Sequence, residues 1–235
     1  FKCTSSTLNS EVRDLVKLMA MGAKYLIKRQ GPLTLAASLG VGFIKTEEDL
    51  QLPDIQFHIQ PFSMDRPSLD GMHKFDGFTA SVLQLRPESS GEIYLKSGDI
   101  NVHPIIKPNY LSTKNDCNVL VKGIKIARKI ANFEPLKSLV IDEHAPGSRI
   151  KETDDAGILD WARKTAVTIY HPTGTCKMGS DQEAVVDNRL RVRGIQGLRI
   201  IDASIMPKIT SGNTNAPTIM IGEKGANMII EDAMK

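Results

Sequence analysis

Apolar residues after Asn9 and Ser10 recur near helical spacing: Val12, Leu15, Val16, Met19, Leu26 and Ile27. Gly31-Pro32 ends that run, so the pattern predicts a first helix over about 11–29. Residues 31–42 are small and apolar without a clear period. In 54–62, Ile55, Phe57 and Ile59 alternate with Gln56, His58 and Gln60, which predicts a half-buried strand. Pro, Gly, Asp and Ser mark 63–75 as a loop. Phe78, Ala80 and Val82 alternate with Thr79 and Ser81, Glu92–Lys96 follows a turn at 89–91, and a short segment spans 104–110. Short alternating strands joined by turns predict an antiparallel sheet with one wet face.

Thr113-Lys114-Asn115-Asp116 has the spacing of a capping box, a hydroxyl with an acid three residues later. Cys117, Leu120, Val121, Ile124, Ala127 and Ala131 then line one helix face, with Lys122, Lys125 and Lys129 on the other, read as solvated. A loop over 142–150 and a helix over 154–164 follow. Near residue 170 the character changes. Residues 170–180 are turn-rich, 190–192 and 198–201 read as strands, and the second is apolar enough for burial on both faces. Pro217 suits the first turn of a last helix over about 217–232.

The 235 residues are 41% hydrophobic and 24% charged, the balance of a globular chain, which excludes wholesale disorder. A net charge of +3 is too mild to point to nucleic acid. No apolar run approaches the ~20 residues of a membrane span. Cys3, Cys117 and Cys176 are far apart and form no CxxC pair, which speaks against a zinc or iron–sulfur site, and no metal is expected. The chain starts Phe1-Lys2-Cys3, without Met or a leader, and reads as a fragment or a processed piece.

Three stretches can carry chemistry. In 171–176 a histidine is followed by a rigid Pro and a Gly turn. Irregular backbone of this kind lies at a surface or lines a cavity, and a neutral imidazole accepts a proton near physiological pH. His171 reads equally as a loop histidine holding local backbone. In 212–217 two Asn flank a Thr just before the last helix. These residues are ordinary caps, or their amides donate into a site at the helix's positive end. In 198–207 an acid follows a strand and precedes two small residues, which permits close approach to a ligand.

Taken together, HPTGTCKMG, VVDNRLRVRGIQGLRIIDASIMP and GNTNAPTIMIGEKGA resemble the C-terminal portion of the glucose–methanol–choline (GMC) flavoprotein oxidoreductases, above all their insect glucose-dehydrogenase-like branch. The likeness is near-continuous over about 168–232, and upstream Gly31–Thr34, Pro53–Gln56, Arg86–Ile93 and Leu95–Ser97 share it. The resemblance implies a mixed α/β (α+β) fold. Residues 1–185 would form a substrate domain with an antiparallel sheet and flanking helices, and 186–235 would add a strand and helix to a Rossmann-like FAD domain. The substrate pocket would lie between them. It implies FAD as cofactor and an alcohol or sugar as substrate, with quinone or oxygen as electron acceptor. It assigns His171 as catalytic base and Asn213 as its partner. It places Asn215, Ala216 and Pro217 at the flavin ring, and Asp202 and Ala203 near the cofactor's ribityl and phosphate groups. A secreted location is implied by the same likeness. Alternatives on this scaffold are a flavin-containing hydroxynitrile lyase and a non-catalytic binding protein.

The pairing has a chemical rationale of its own. Oxidising an alcohol removes a hydride from carbon and a proton from oxygen, so a base must stand near the hydroxyl and a donor must steady the developing charge. His171 and Asn213 lie 42 positions apart, so only the fold can join them. The strand–GxGxxG–helix unit that holds a dinucleotide is missing. Gly40-Val41-Gly42-Phe43-Ile44-Lys45 lacks the third glycine and reads as structural. FAD binding and activity are therefore expected to need an N-terminal portion outside this chain. Arg189, Arg191 and Arg193 alternate and read as a solvated face rather than a polyanion site, and His58, His73, His103 and His144 read as surface or structural residues.

Overall fold

The computed structural model describes residues 1–36, 38–65 and 71–234. The elements run β1 (Lys2–Cys3), α1 (Leu8–Glu11), α2 (Leu15–Lys28), β2 (Gly40–Ile44), β3 (Ile55–Gln60), β4 (Thr79–Gln84), β5 (Glu92–Tyr94) and β6 (Ile105–Lys107). They continue with α3 (Lys114–Ala131), α4 (Leu136–Leu139), β7 (Val140–Asp142), α5 (Asp155–Thr165) and α6 (Asn215–Ala233). The mixed α/β class with antiparallel pairing is as expected. Parts of the aperiodic 31–42 stretch and of the 63–75 loop, namely Ala37 and 66–70, lie outside the described residues. Two compact units emerge, one from 1–84 with 117–165, the other from 85–116 with 166–235.

The first unit is built on the antiparallel sheet β2-β3-β4. Ile55 and Phe57 of β3 pack with Val119 and Ala127 of α3 and with Val82 of β4. Another side of α3 sets Val121 and Ile124 against Ile158 and Ala162 of α5. Gly123 lets α3 lie close to the sheet, since a Cβ there would sit 2.4 Å from Val82 Cγ1. Gly40–Ile44 of the stretch GVGFIK form β2, paired along its length with β3, so its glycines serve a strand and not a phosphate loop.

Several sequence expectations are corrected here. The first helix is broken, because the Asp14 side chain accepts from the amides of Val16 and Lys17 and so starts α2 afresh. Along α2, Leu15, Val16, Met19, Leu26 and Ile27 are each 68–79% exposed. Gln56, assigned by alternation to the wet face, is buried. On α3, Lys122 pairs with Glu47 and Lys125 with Asp155, so two of the three lysines are not merely solvated.

The second unit has little regular structure beyond α6. Its core gathers Val186, Leu190, Ile205, Met206 and Ile221, with Ile200, Ile201 and Met228 against them. The segments 190–192 and 198–201 do not form full strands. They make isolated bridges, Arg191 to Arg199 and Val186 to Val192, around turns at Gly194 and Gly197, both at positive φ. With only that bridging, Leu198 stays 47% exposed, against the burial on both faces expected of it. Of the arginines nearby, Arg191 and Arg193 are exposed, as expected, but all are also tied within the chain. Arg189 binds Asp232, Glu231 and the Met228 carbonyl, Arg191 binds Asp187, and Arg199 binds Asp232 and the Arg189 carbonyl. These bonds fasten the acidic C-terminal turn of α6 to the 187–199 segment.

Candidate functional site

His171 and Asn213 meet within the second unit. Asn213 Nδ2 lies 2.7 Å from His171 Nε2. On the other side of the ring, Thr214 Oγ1 lies 2.8 Å from Nδ1, and the Thr214 backbone nitrogen is 3.4 Å from the same atom. The Thr214 backbone N–H donates to Nδ1, and which ring nitrogen carries the proton follows from how the Asn213 amide and the Thr214 hydroxyl are turned. The imidazole is thus held at both nitrogens. His171 is half-buried, Asn213 exposed and Thr214 buried.

Local backbone fixes both partners. Tyr170 (φ 63°) and Gly174 (φ 88°) are left-handed and flank the His171-Pro172-Thr173 stretch. A Cβ on Gly174 would stand 3.3 Å from the Met206 carbonyl. Just beyond, the amides of Cys176 and Met178 donate to the carbonyls of Ser204 and Ile205, hanging the histidine loop on the turn Ala203–Ile205. That turn is anchored by buried Ile205 and Met206. Asn213 closes the loop leading into α6. Ser211 in that loop accepts from Arg86 Nε at 3.2 Å, which ties the Arg86–Gly91 stretch to it.

Asp202 accepts from the backbone amide and hydroxyl of Ser204 and caps its own short turn, with Ala203 half-buried behind it. Asn215, Ala216 and Pro217 are the first three residues of α6. Thr214 is the N-cap of that helix, yet its side chain caps no helix amide, because it serves His171. Pro217 has no N–H to orphan, and the amides of Asn215 and Ala216 are left at the positive end of a 19-residue helix. Thr214 is the residue that sequence reasoning passed over. The signal was present, since a hydroxyl between two Asn at a cap position must spend its hydrogen bond either on the helix or on something else.

Asp116 shows the same rerouting. Thr113 Oγ1 accepts from the Asp116 amide, as the capping box requires. The Asp116 carboxylate, however, accepts from Glu88 N at 3.0 Å, Ser89 N at 2.8 Å and the Ser89 hydroxyl. A buried carboxylate thus organises the stretch that reaches Ser211 through Arg86.

The chain can be set beside known proteins. It is 41% identical over 221 residues to the alcohol dehydrogenase [acceptor] of Pseudomonas putida, covering 93% of this chain and 38% of that protein. It is also 41% identical over 211 residues to the oxygen-dependent choline dehydrogenase of Pseudomonas fluorescens, covering 89% of this chain and 36% of that one. Among solved structures, a formate oxidase crystal structure superposes with a TM-score of 0.86 at 25% identity, over 98% of this chain and 45% of that one. The chain therefore spans less than two fifths of the length of these curated relatives. The family description "GMC oxidoreductase" matches residues 87–222, which include His171, Asp202, Asn213 and Pro217, and the chain belongs to that family.

Proposed function

We propose that this chain supplies the acid–base half of an FAD-dependent oxidation of a CH–OH group in an alcohol or sugar. The observation that carries this reading is the 2.7 Å approach of Asn213 Nδ2 to His171 Nε2. FAD is the cofactor of the family. The donor set fits it: an amide, an imidazole and the first backbone amides of α6 are hydrogen-bonding groups of the kind a flavin ring edge takes. Asn215, Ala216 and Pro217 would hold the ring, and Asp202 with Ala203 the ribityl and phosphate side. When bound, FAD supplies the hydride acceptor.

The protein's own residues handle the proton. Nε2 and Nδ2 face each other, so one hydroxyl oxygen can reach both. His171, with Nε2 toward Asn213, takes the hydroxyl proton as the hydride leaves carbon, and Thr214 holds the ring at Nδ1. The Asn213 amide and the new imidazolium together steady the charge that develops on oxygen.

Two further parts of the reading concern the rest of the protein. Residues 1–185 serve mainly the substrate and 186–235 the flavin, and activity needs an N-terminal FAD-binding portion. The exposed apolar stripe of α2 and the partial coverage of the relatives support a larger assembly. In the full-length protein, rapid mixing with a panel of alcohols, sugars and choline should bleach the flavin. Asn213→Ala should slow bleaching by a barrier of about 2–4 kcal/mol, and His171→Ala by at least as much. Bleaching at wild-type rate in both variants overturns the assignment. Cleavage of a cyanohydrin without bleaching would instead make the protein a lyase.

A further inference from the structure

In the first unit, far in sequence from the catalytic pair, two histidines converge on one carboxylate. His73 Nε2 is 3.1 Å and His144 Nε2 is 3.4 Å from Asp65 Oδ1. The two imidazoles meet edge to face at 4.6 Å. The ligand atoms of the trio all lie within 4.8 Å of one another.

The trio is supported from behind. His73 Nδ1 lies 3.1 Å from Ser63 Oγ, so Nδ1 is the occupied nitrogen and Nε2 points to Asp65. Ser63 and Asn9 are buried, and Asn9 binds the Ser63 amide at 2.8 Å and the Ser63 and His73 carbonyls, each at 2.9 Å. The His73 ring stacks on Phe75 at 4.6 Å. Next to His144, Glu143 is fixed by a two-pronged bond from Arg128, each arm 2.9 Å. Support of this kind, a serine on the remote nitrogen and a clamped neighbour, is what orients imidazole ligands.

His73 Nε2 is shielded from solvent and makes no angle-competent hydrogen bond, although the carboxylate oxygen is within 3.1 Å. Neutral imidazoles with their Nε2 lone pairs turned to this oxygen would share a cation with the carboxylate. Two ligands about 2.0–2.2 Å from a tetrahedral ion stand roughly 3.3–3.5 Å apart, and the two nitrogen–oxygen separations here, 3.1 and 3.4 Å, are close to that edge.

We propose that Asp65, His73 and His144 form a binding site for a divalent transition-metal ion of the zinc class, tying Asp65 and His73 to the 142–150 turn. Two imidazoles and a carboxylate suit zinc, cobalt or nickel over the oxygen-seeking magnesium and calcium. Sequence reading had set both histidines aside as surface or structural.

The test uses the full-length protein, stripped with chelator and titrated with zinc chloride by calorimetry and thermal melting. One equivalent should bind, and a hundredfold excess over Kd should raise Tm by roughly 5 °C or more. Asp65→Asn and His144→Gln, both at partly exposed positions, should each weaken binding at least about tenfold, and Ser63→Ala about tenfold through His73. Circular dichroism confirms that each variant is folded. His103→Ala should leave the isotherm unchanged. Absence of a one-equivalent isotherm overturns the site, as does an isotherm indifferent to Asp65 and His144 but abolished by His171→Ala.

Discussion

The two units solve the same problem by different means. In the first, a three-stranded sheet and two helices bury Ile55, Phe57, Ile124 and Ile158, and regular periodicity does most of the work. In the second, a comparable core forms from turns, isolated bridges and one long helix. There the side chains that matter are steered by hydrogen bonds from loops: Asp116 to the 88–89 amides, Arg189 and Arg199 to Asp232, and Thr214 to His171. The contrast teaches where chemistry can be placed. A helix or strand fixes side-chain direction by period. A loop fixes it only where each turn is individually tied down, but it can then bring an imidazole and an amide 42 residues apart within hydrogen-bond distance.

The contrast can be broken or sharpened by substitution. Ile158→Ala, at a fully buried contact between α5 and α3, should cost about 2–5 kcal/mol in urea unfolding while sparing flavin reduction per folded molecule. A loss of chemistry larger than the loss of folded protein would mean that the units are not energetically separate. Gly225→Ala places a Cβ 2.4 Å from Ile201 Cγ2 beneath α6 and should destabilise by about 1–3 kcal/mol. Adding Ile201→Val should restore part of that loss, and no restoration would argue against close packing as its cause.

Thr214→Val keeps the shape and removes the hydroxyl on Nδ1. It should slow flavin reduction by about fivefold, near 1 kcal/mol, with almost no change in Tm, because that hydroxyl caps no helix amide. A clear fall in Tm without a rate effect would make Thr214 a mere cap.

The smallest effect concerns acid. The bond from Arg199, reinforced by Arg189, holds the Asp232 carboxyl below the usual carboxylate range. A depressed folded-state pKa gives stability that is present above the ordinary carboxylate value near 4 and is lost as pH falls through the folded value. Asp232→Asn should flatten the acid limb of a stability–pH curve below about pH 4. An unchanged acid limb would show that this clasp on α6 is energetically idle.

Much of the first unit was legible because period is a local property. The strand over 54–62, the helix after Thr113 and the helix after Asp154 stand within a few residues of their expected ends. The errors arose where one residue redirected the chain: Asp14 restarts a helix, and glycines at 194 and 197 replace strands by turns. For the site, the residue types in HPTGTC and GNTNAP carried the family likeness, and so pointed to His171 and Asn213. Thr214 stayed hidden because capping and ligand-orienting threonines look alike in one dimension.

By itself the sequence determined which segments could be helix or strand, since that depends on neighbours three or four positions away. It also carried the family likeness that singles out His171 and Asn213. Only the tertiary structure decided that Asn213 and Thr214 grip opposite nitrogens of one ring. It alone turned Asp116 from a helix cap to a loop organiser and brought His73 and His144 to the same carboxylate oxygen. Those outcomes depend on distances between residues far apart in the chain, which close only when a shared core fixes the backbone that bears them.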